Sequence, residues 1–384
     1  MVLQLLFDVA WVLLLLQVTY LSIFALASVL PKRKIKYPTT PDNVKLAILI
    51  PCYQEDHIIL ETTARAVTEA GPNHDVYVLA DGLKTETHDH IKDLGGDFLE
   101  MIWDQSTKAK SMKRAATDLV DKGYTHVMIL DADNIMEEGV IAQLEKRLTQ
   151  DSKVVQLHRG AKNKQTAMAY LDAVNEEIGN SIFRRGHRAL GLSSALIGSA
   201  MVFTWDAYFQ LMEELDPETS GEDKWLELKI FELRWKVEYW EDLWVYDEKV
   251  SSGSDFSKQR TRWVGSQFFY FSSNALKAIG QGLRGNVDYF DKVLQWAVLP
   301  KTILMAVLVL FSLAEWLILG RFDIAQITIA YGVALLIAVP GRLYTWELFK
   351  AVAYLPVAIV YLILGILKIN KKTATSFEVT QKKE

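Results

Sequence analysis

The chain has 384 residues, half of them hydrophobic, with 42 basic against 47 acidic side chains, a formal charge of −5 and a single cysteine, Cys52. That length and composition accommodate two domains, or one domain with membrane segments, and exclude a disordered chain or a small disulfide scaffold. The slight acidic excess offers no bulk positive field for a polyanion, so nucleic acid is not an expected partner, and the lone thiol fits a working part kept in a reducing compartment.

The apolar residues are segregated. Residues 2–30 carry one charge, Asp8, and outlast the roughly 20 helical residues that cross a bilayer. This reads as a membrane helix. A cleaved signal peptide is the alternative, with Ala25-Leu26-Ala27 resembling a cleavage site, but no Lys or Arg precedes Lys32 and the run is long for one. The cluster Pro31-Lys32-Arg33-Lys34-Ile35-Lys36 should stay cytosolic while the uncharged N-terminus crosses, which puts the central part of the chain in the cytosol. Residues 37–43 are the only linker-like stretch.

From about 45 to 262 the chain alternates short β-rich runs with longer helical patterns. Residues 45–50, 76–79 and 127–130 read as buried strands, and 55–70, 108–121 and 137–148 as helices. Such alternation predicts a parallel sheet covered on both faces, with ligands at the carboxyl ends of its strands. The polar residues fall there: Pro51-Cys52-Tyr53-Gln54-Glu55, Asp81-Gly82 and Asp131-Ala132-Asp133-Asn134. Singly, an acid after a strand is ordinarily a helix cap or turn former; three strand ends aim carboxylates at one crevice. Asp131 and Asp133 can share a hard cation, Mg²⁺ or Mn²⁺, whose octahedron waters and substrate phosphates complete. The competing reading is a cap for the helix entered near Glu137. A haloacid dehalogenase type of phosphatase also carries Asp-x-Asp, but with Thr or Val where this chain has Ile135, and it leaves the later motifs unexplained.

Glu222-Asp223 opens an apparent helix, where acids are the ordinary consequence of the macrodipole. In Gln259-Arg260-Thr261-Arg262-Trp263 a guanidinium can bind phosphate through two hydrogen bonds and an indole can stack on a sugar or line an acceptor path. The same stretch also fits an amphipathic segment on a membrane, as the neighbouring Phe268, Phe269, Tyr270 and Phe271 indicate. Residues 303–319, 324–340 and 346–367 are apolar. The first two read as a helical hairpin whose Glu315 should face protein or a polar cavity; the third is broken by Pro356.

Taken in order, the residues 51–55, Asp81, Asp131-Ala132-Asp133, Glu222-Asp223 and Gln259 to Trp263 resemble the membrane-bound family 2 glycosyltransferases, of the cellulose synthase-like and hyaluronan synthase-like kind. Residues 156–163, the run 191–201 with Gly198-Ser199-Ala200, and Phe377-Glu378-Val379-Thr380-Gln381-Lys382 look like the same family, the last similar to the Phe-x-Val-Thr-x-Lys gating-loop motif of cellulose synthases. Residues 108–116 depart from it: relatives often read Gly-Lys then Ala-Leu-Asn, and here Ala109-Lys110-Ser111 leads to Arg114-Ala115.

The resemblance implies an α/β, GT-A (Rossmann-like) cytosolic domain with N-terminal and C-terminal transmembrane helices, a nucleotide-sugar donor, UDP-sugar foremost, and inverting transfer. It implies Tyr53, Glu55 and Asp81 on the nucleoside and Asp131 and Asp133 on Mg²⁺ or Mn²⁺. Lys110, Arg262 and the tail residues Thr380 and Lys382 would lie at the diphosphate. Asp223 would be the base with Glu222 in support, and Gly198, Ser199, Gln259 and Trp263 would shape the acceptor site. The expected division is 1–37 membrane helix and basic flank, 38–263 glycosyltransferase domain, 264–299 interfacial region, 300–369 transmembrane or interfacial helices, and 370–384 cytosolic tail. The tail's lysines at 368, 371, 372, 382 and 383 favour the cytosolic side, with the segment around Pro356 interfacial or re-entrant. Three functions compete: a polysaccharide-polymerising β-glycan synthase, which leads; transfer of one sugar to a polyprenyl phosphate or other lipid; and a catalytically silent membrane scaffold, disfavoured because every expected carboxylate is present. The implied partners are the donor, a growing glycan or lipid-linked acceptor, membrane lipid and additional export or assembly subunits, at an inner or plasma membrane.

Overall fold

The computed structural model describes residues 1–31, 43–219, 221–249, 253–357 and 359–360, with side chains throughout except at 253–258. In chain order the elements are α1 (Val2–Ala27), β1 (Leu46–Tyr53), α2 (Asp56–Ala70), β2 (Asp75–Asp81), α3 (Thr85–Asp93), β3 (Asp97–Met101), α4 (Lys108–Asp118), β4 (His126–Ile129), β5 (Ile135–Met136) and α5 (Val140–Arg147). Next come β6 (Val154–Ala161), α6 (Ala167–Asn180), a π-helical turn (Ser181–Gly186), α7 (His187–Ala189), β7 (Met201–Thr204), α8 (Trp205–Glu214), α9 (Glu222–Glu232) and β8 (Val237–Asp247). The remainder is helical: α10 (Gly253–Leu283), α11 (Val287–Ala297), α12 (Lys301–Leu319), α13 (Asp323–Ala338) and α14 (Trp346–Ala353).

One sheet runs in the order β3-β2-β1-β4-β7-β6-β8-β5. As expected, β1 is parallel to β2 and β4, and β2 to β3. The other half corrects the expectation of a parallel sheet: β7 is antiparallel to both β4 and β6, and β5 to β8. Parallel pairing needs a crossover that returns the chain to the same end. After β6 the chain instead runs through α6 and the π turn, which pack against the C-terminal and N-terminal helices, and re-enters the sheet in the opposite sense as β7.

Alternate strand residues feed two cores. Leu46, Ile48 and Ile50 join Val76, Val78 and Met128 on one face, closed by Ile59 of α2 and Leu144 of α5. Ala47 and Leu49 join Leu79, Val127 and Ile129 on the other, closed by Met112 of α4, Tyr208 of α8 and Phe231 of α9. Burial of both faces is why β1 is an unbroken apolar run.

A third core lies away from the sheet, where Leu21 and Phe24 of α1 meet Ile182 of the π turn, Leu304 of α12 and Tyr331 of α13. α1 and α12, at 26 and 19 residues with mean hydropathies of 2.2 and 2.4, are long and apolar enough to cross a membrane, and α13 is a shorter apolar helix. At about 1.5 Å per residue they measure roughly 39 and 28 Å, against a hydrocarbon core of about 30 Å. α12 and α13 form the expected hairpin. Glu315 is fully buried within it, accepting the Ile324 N–H at 2.9 Å with Arg321 at 3.7 Å. The single helix α10 runs across the expected division at 263 and 264, carrying the Gln259-to-Trp263 segment and the aromatic cluster on one rod. Residues 361–384, with the tail motif, and the basic cluster at 32–36 lie outside the described residues.

α1 meets the π turn backbone to backbone. A Cβ on Gly186 would lie 2.2 Å from the Phe24 carbonyl oxygen. Around that contact the Phe24 ring stacks on His187 at 3.6 Å, and Tyr20 donates to Asp291 at 3.0 Å. Gly186→Ala must push two backbones apart and should cost on the order of 1–3 kcal/mol. Gly280→Ala, inside α10 with nothing within 4 Å of the new atom, should be neutral or stabilise by up to about 1 kcal/mol. Thermal unfolding of the purified protein in detergent checks both, with a lowered midpoint expected for Gly186→Ala alone.

Candidate active site

β2 and β3 lie to one side of β1 and β4 to the other, so the chain reverses its direction of strand addition at β1. Such a switch leaves a crevice beyond the carboxyl ends of the strands. A cavity of ≈ 290 Å³ opens there. Its wall takes Tyr53 and Glu55 from the end of β1 and just beyond it, Asp81 from β2, and Asp131 and Asp133 after β4. α9 adds Glu222 and Asp223, α10 adds Gln259, Arg262 and Trp263, and the loop before β7 adds Gly198. The fold thus gathers residues from widely separated stretches of sequence around one space.

Thr107 caps α4 by accepting the Lys110 N–H at 3.1 Å, which makes Lys108 the first helical residue. The Lys108 ammonium donates to Asp131 Oδ1 at 2.5 Å and to the Gly198 carbonyl at 2.7 Å, and stands 4.0 Å from Glu222. Burial alone would depress its pKa, but Asp131, Glu222 and Asp223 outweigh that and raise it above the ordinary lysine value. Gly198 has φ +91°, a left-handed conformation that favours glycine. Lys110 turns away, donating to the Gln105 carbonyl at 2.7 Å and pairing with Glu218 at 2.9 Å. Of the two lysines, the structure sets Lys108 against the carboxylates, whereas the family resemblance points to Lys110. Burial raises Asp81 above the usual carboxylate range, with Ser106 and Lys110 partly offsetting it.

Glu222 and Asp223 occupy the first turn of α9, where unsatisfied N–H groups favour carboxylates. Their surroundings separate them. Burial pushes Glu222 up, and the charge of Asp223 adds to this against the pull of Lys108. Burial acts on Asp223 as well, but Lys224, with Nζ at 3.6 Å, and Lys108 hold it below the usual range. Asp223 is therefore the member of the pair that gives up its proton more readily.

Ser199 stands behind the wall. It is fully buried, its carbonyl accepting from Gln156 at 3.0 Å and its Oγ from Arg159 at 3.3 Å. Arg159 received no role from the sequence, although it lies in the family-like run 156–163. Its Nε donates to Glu176 at 2.7 Å and lies 3.4 Å from Asp247, and its Nη1 is 3.9 Å from Asp131. Burial would lower its pKa, yet these three acids hold it above its ordinary value. Lys249 pairs with Asp247 at 2.8 Å and also with Glu176, and Arg260 pairs with Asp172 while its guanidinium lies 4.5 Å from the Trp263 ring centre. Thr380 and Lys382 lie outside the described residues.

Among the described residues no group of three or more His, Cys, Asp or Glu side chains could hold a metal ion by itself. Asp131 and Asp133 supply two carboxylates to one cavity wall. A hard cation draws the rest of its shell from water and phosphate oxygens, so this pair fits Mg²⁺ or Mn²⁺ shared with a diphosphate.

The fold is that of the GT-A glycosyltransferases. It is similar to the mannosyltransferase PcManGT from Pyrobaculum calidifontis, a structure in complex with GDP-Man and Mn²⁺, with a TM-score of 0.52 over 94% of this chain and 97% of that one; at 16% identity the likeness is one of fold. The family model for "Glycosyltransferase like family 2" matches residues 41–266, and the chain belongs to that family and is a glycosyltransferase. It is also similar to "Glucans biosynthesis glucosyltransferase H" of two Vibrio cholerae serotype O1 strains, 28% identical over 37% of this chain. The match spans 22% of those relatives' length.

Removing the Arg159 guanidinium would take from Glu176 and Asp247, in a buried setting, one of the cations that offset them, with Lys249 remaining. Arg159→Leu should cost about 3–5 kcal/mol. Lys162→Ala, which breaks only the exposed pair with Glu61, should stay within about 1 kcal/mol. The denaturant midpoints of the two purified variants measure the difference.

Proposed function

We propose that the chain is a membrane-integrated, inverting glycosyltransferase that moves a sugar from a nucleotide-sugar donor, a UDP-sugar foremost, onto a growing glycan at the membrane face. The observation that supports this reading is that Asp223 and Trp263 line both the ≈ 290 Å³ cavity and a second one of ≈ 660 Å³, which reaches α12, α13 and α14. A charged carboxylate thus lies where two reactants would meet.

In this reading Tyr53, Glu55 and Asp81 hold the nucleoside, and Lys108 and Arg262 offset the charge that grows on the departing diphosphate. A divalent cation on Asp131 and Asp133, when bound, would add positive charge at the same place. Asp223 takes the proton of the acceptor hydroxyl as its oxygen attacks the anomeric carbon from the face opposite the nucleotide. The bond to the diphosphate breaks in the same displacement, which inverts the centre. Glu222, pushed up by burial, supports Asp223 rather than acting as the base. Trp263 and the Gly198 loop shape the acceptor's approach, with Gln259 beside them. Ser199 acts from behind by fixing the loop, and Lys110 acts on Asp81 from a distance. The tail's Thr380 and Lys382 join the diphosphate on the strength of their motif. Similarity to a glucan biosynthesis glucosyltransferase favours chain extension; the aliphatic wall of the second cavity favours an acceptor borne by a lipid.

Membranes containing the chain, incubated with labelled UDP- and GDP-sugars and either cation, with sizing of the product, test this reading. Asp223→Asn should lower kcat on the order of 10²–10⁴-fold with the donor KM retained. Lys108→Met should lower kcat/KM on the order of 10²-fold, and Lys110→Met far less. EDTA should abolish transfer and Mn²⁺ or Mg²⁺ restore it. Normal turnover by Asp223→Asn would reject the base assignment, and full activity in EDTA the metal-bridged diphosphate.

A further inference from the structure

Glu222 and Asp223 owe their place to the first turn of α9, but Glu227 sits a turn further in, where the helix dipole gives no reason for an acid. It is 4% exposed. Four positions after Asp223, it lies on the same face of the helix, and both residues line the larger cavity. Its Oε1 takes two hydrogen bonds, from the Leu196 N–H at 2.7 Å and from the Lys292 ammonium of α11 at 2.8 Å. Lys292 is equally buried and also donates to Gln295 Oε1 at 2.6 Å.

Leu196 belongs to the loop before β7. Two residues on, the Gly198 carbonyl accepts from Lys108 at 2.7 Å, and a Cβ on Gly198 would stand 3.5 Å from Asp223 Cβ. The loop thus touches both the cation of the smaller cavity and the carboxylate between the two cavities. Three of its N–H groups go to side chains: Ser193 to Asp288 at 2.7 Å, Leu196 to Glu227, and Ile197 to Gln156 at 3.0 Å. Two of these routes lead to α11, through Asp288 directly and through Glu227 to Lys292, one turn along that helix. A buried N–H stripped of its acceptor costs more than a hydrogen bond is worth net. A buried ion pair, by contrast, adds little stability over an apolar pair of similar volume. What the acid supplies is therefore placement, and Lys292 fixes where its oxygen points.

We propose that Glu227 is a positioning residue for the transfer step: held by Lys292, its carboxylate fixes the Leu196 N–H, and through the backbone of 196–198 it sets the Gly198 carbonyl on Lys108 and spaces the loop from Asp223. This rests on the glycosyl-transfer reading of the site. Glu227 takes no proton from the acceptor; Asp223 does.

Two single variants separate charge from placement. Glu227→Gln keeps an oxygen at the same reach and drops the charge, whereas Glu227→Asp keeps the charge and withdraws the oxygen by one methylene. With the labelled UDP- and GDP-sugars that the parent turns over, Glu227→Gln should keep kcat within about threefold and Glu227→Asp should lose about 10- to 100-fold, donor KM being unchanged in both. The reverse order, which an electrostatic action on Asp223 gives, would overturn the proposal. Glu227→Leu/Lys292→Met removes both charges together and strands no ammonium. It should bind UDP or GDP as the parent does, while hydrogen exchange of the Leu196 amide, read by mass spectrometry on the full chain in detergent, speeds up at least about tenfold and kcat falls as for Glu227→Asp. Glu227→Gln/Lys292→Met, which returns only the acceptor, should restore slow exchange and most of kcat. Equal exchange at Leu196 in the two double variants, or equal kcat, would also overturn the proposal; if the leucine variant does not fold, the order of the two single variants decides. Protection of Leu196 that depends on residue 227, in a chain that turns over no donor sugar, would sink the transfer reading alone. Donor turnover with exchange at Leu196 indifferent to residue 227 would sink the positioning role alone.

Discussion

Arg159 sits where β6, α6 and β8 meet the end of β4, and its guanidinium is what lets Glu176, Asp247 and Asp131 lie so close together. Without a cation there, three carboxylates would repel one another in a setting where water screens little. Lys249 repeats the arrangement one step along, binding Glu176 and Asp247 from the other side. The antiparallel half of the sheet is joined to the parallel half by β7, which pairs with β4 on one side and β6 on the other, and the 3.9 Å approach of Arg159 to Asp131 adds a charge contact across the same junction. The acidic crevice at the strand ends is a result of that balance.

The balance differs between the two cavities. In the smaller, carboxylates outnumber the cations that reach them, and Lys108 serves Asp131, Glu222 and the Gly198 carbonyl at once. In the larger, cations exceed carboxylates. Asp223 stands on the boundary, kept ionised by Lys224. A carboxylate in such a position faces a region that can take up a cation on one side and one that can take up an anion on the other.

The parallel half of the fold was legible because its strands are short apolar runs, three of them ending in acids and followed by helices of readable period. What was lost depended on contacts remote in sequence. Arg159 finds Glu176 on the next helix and Asp247 at the end of β8, and nothing local to residue 159 announces either partner. The choice between Lys108 and Lys110 was of a different kind. Two positions apart on a helix, at about 100° per residue, they face nearly opposite ways, so Lys108 bonds Asp131 while Lys110 acts on Asp81 from further off. The cap at Thr107 sets that phase, and the spacing of the two lysines does not show it. The reversed sense of β7 depends on where α6 packs, which no strand pattern encodes. The tail motif falls outside the described residues and keeps the standing that its sequence gives it.

α10 places Gln259, Arg262 and Trp263 near one end of an uninterrupted helix whose other end is packed on α11, with Phe290 only 3.2 Å from where a Cβ on Gly282 would lie. From Trp263 to Leu283, the last residue of that helix, is about 30 Å at 1.5 Å per residue. A rod of that length is held at both ends by the same neighbour: near Trp263, Gln267 donates to the Trp296 and Val298 carbonyls at 3.0 and 2.7 Å, and Arg260 pairs with Asp172 of α6. A change in how α11 is seated therefore reaches the indole, where the two cavities meet, through direct contacts rather than through the length of the rod.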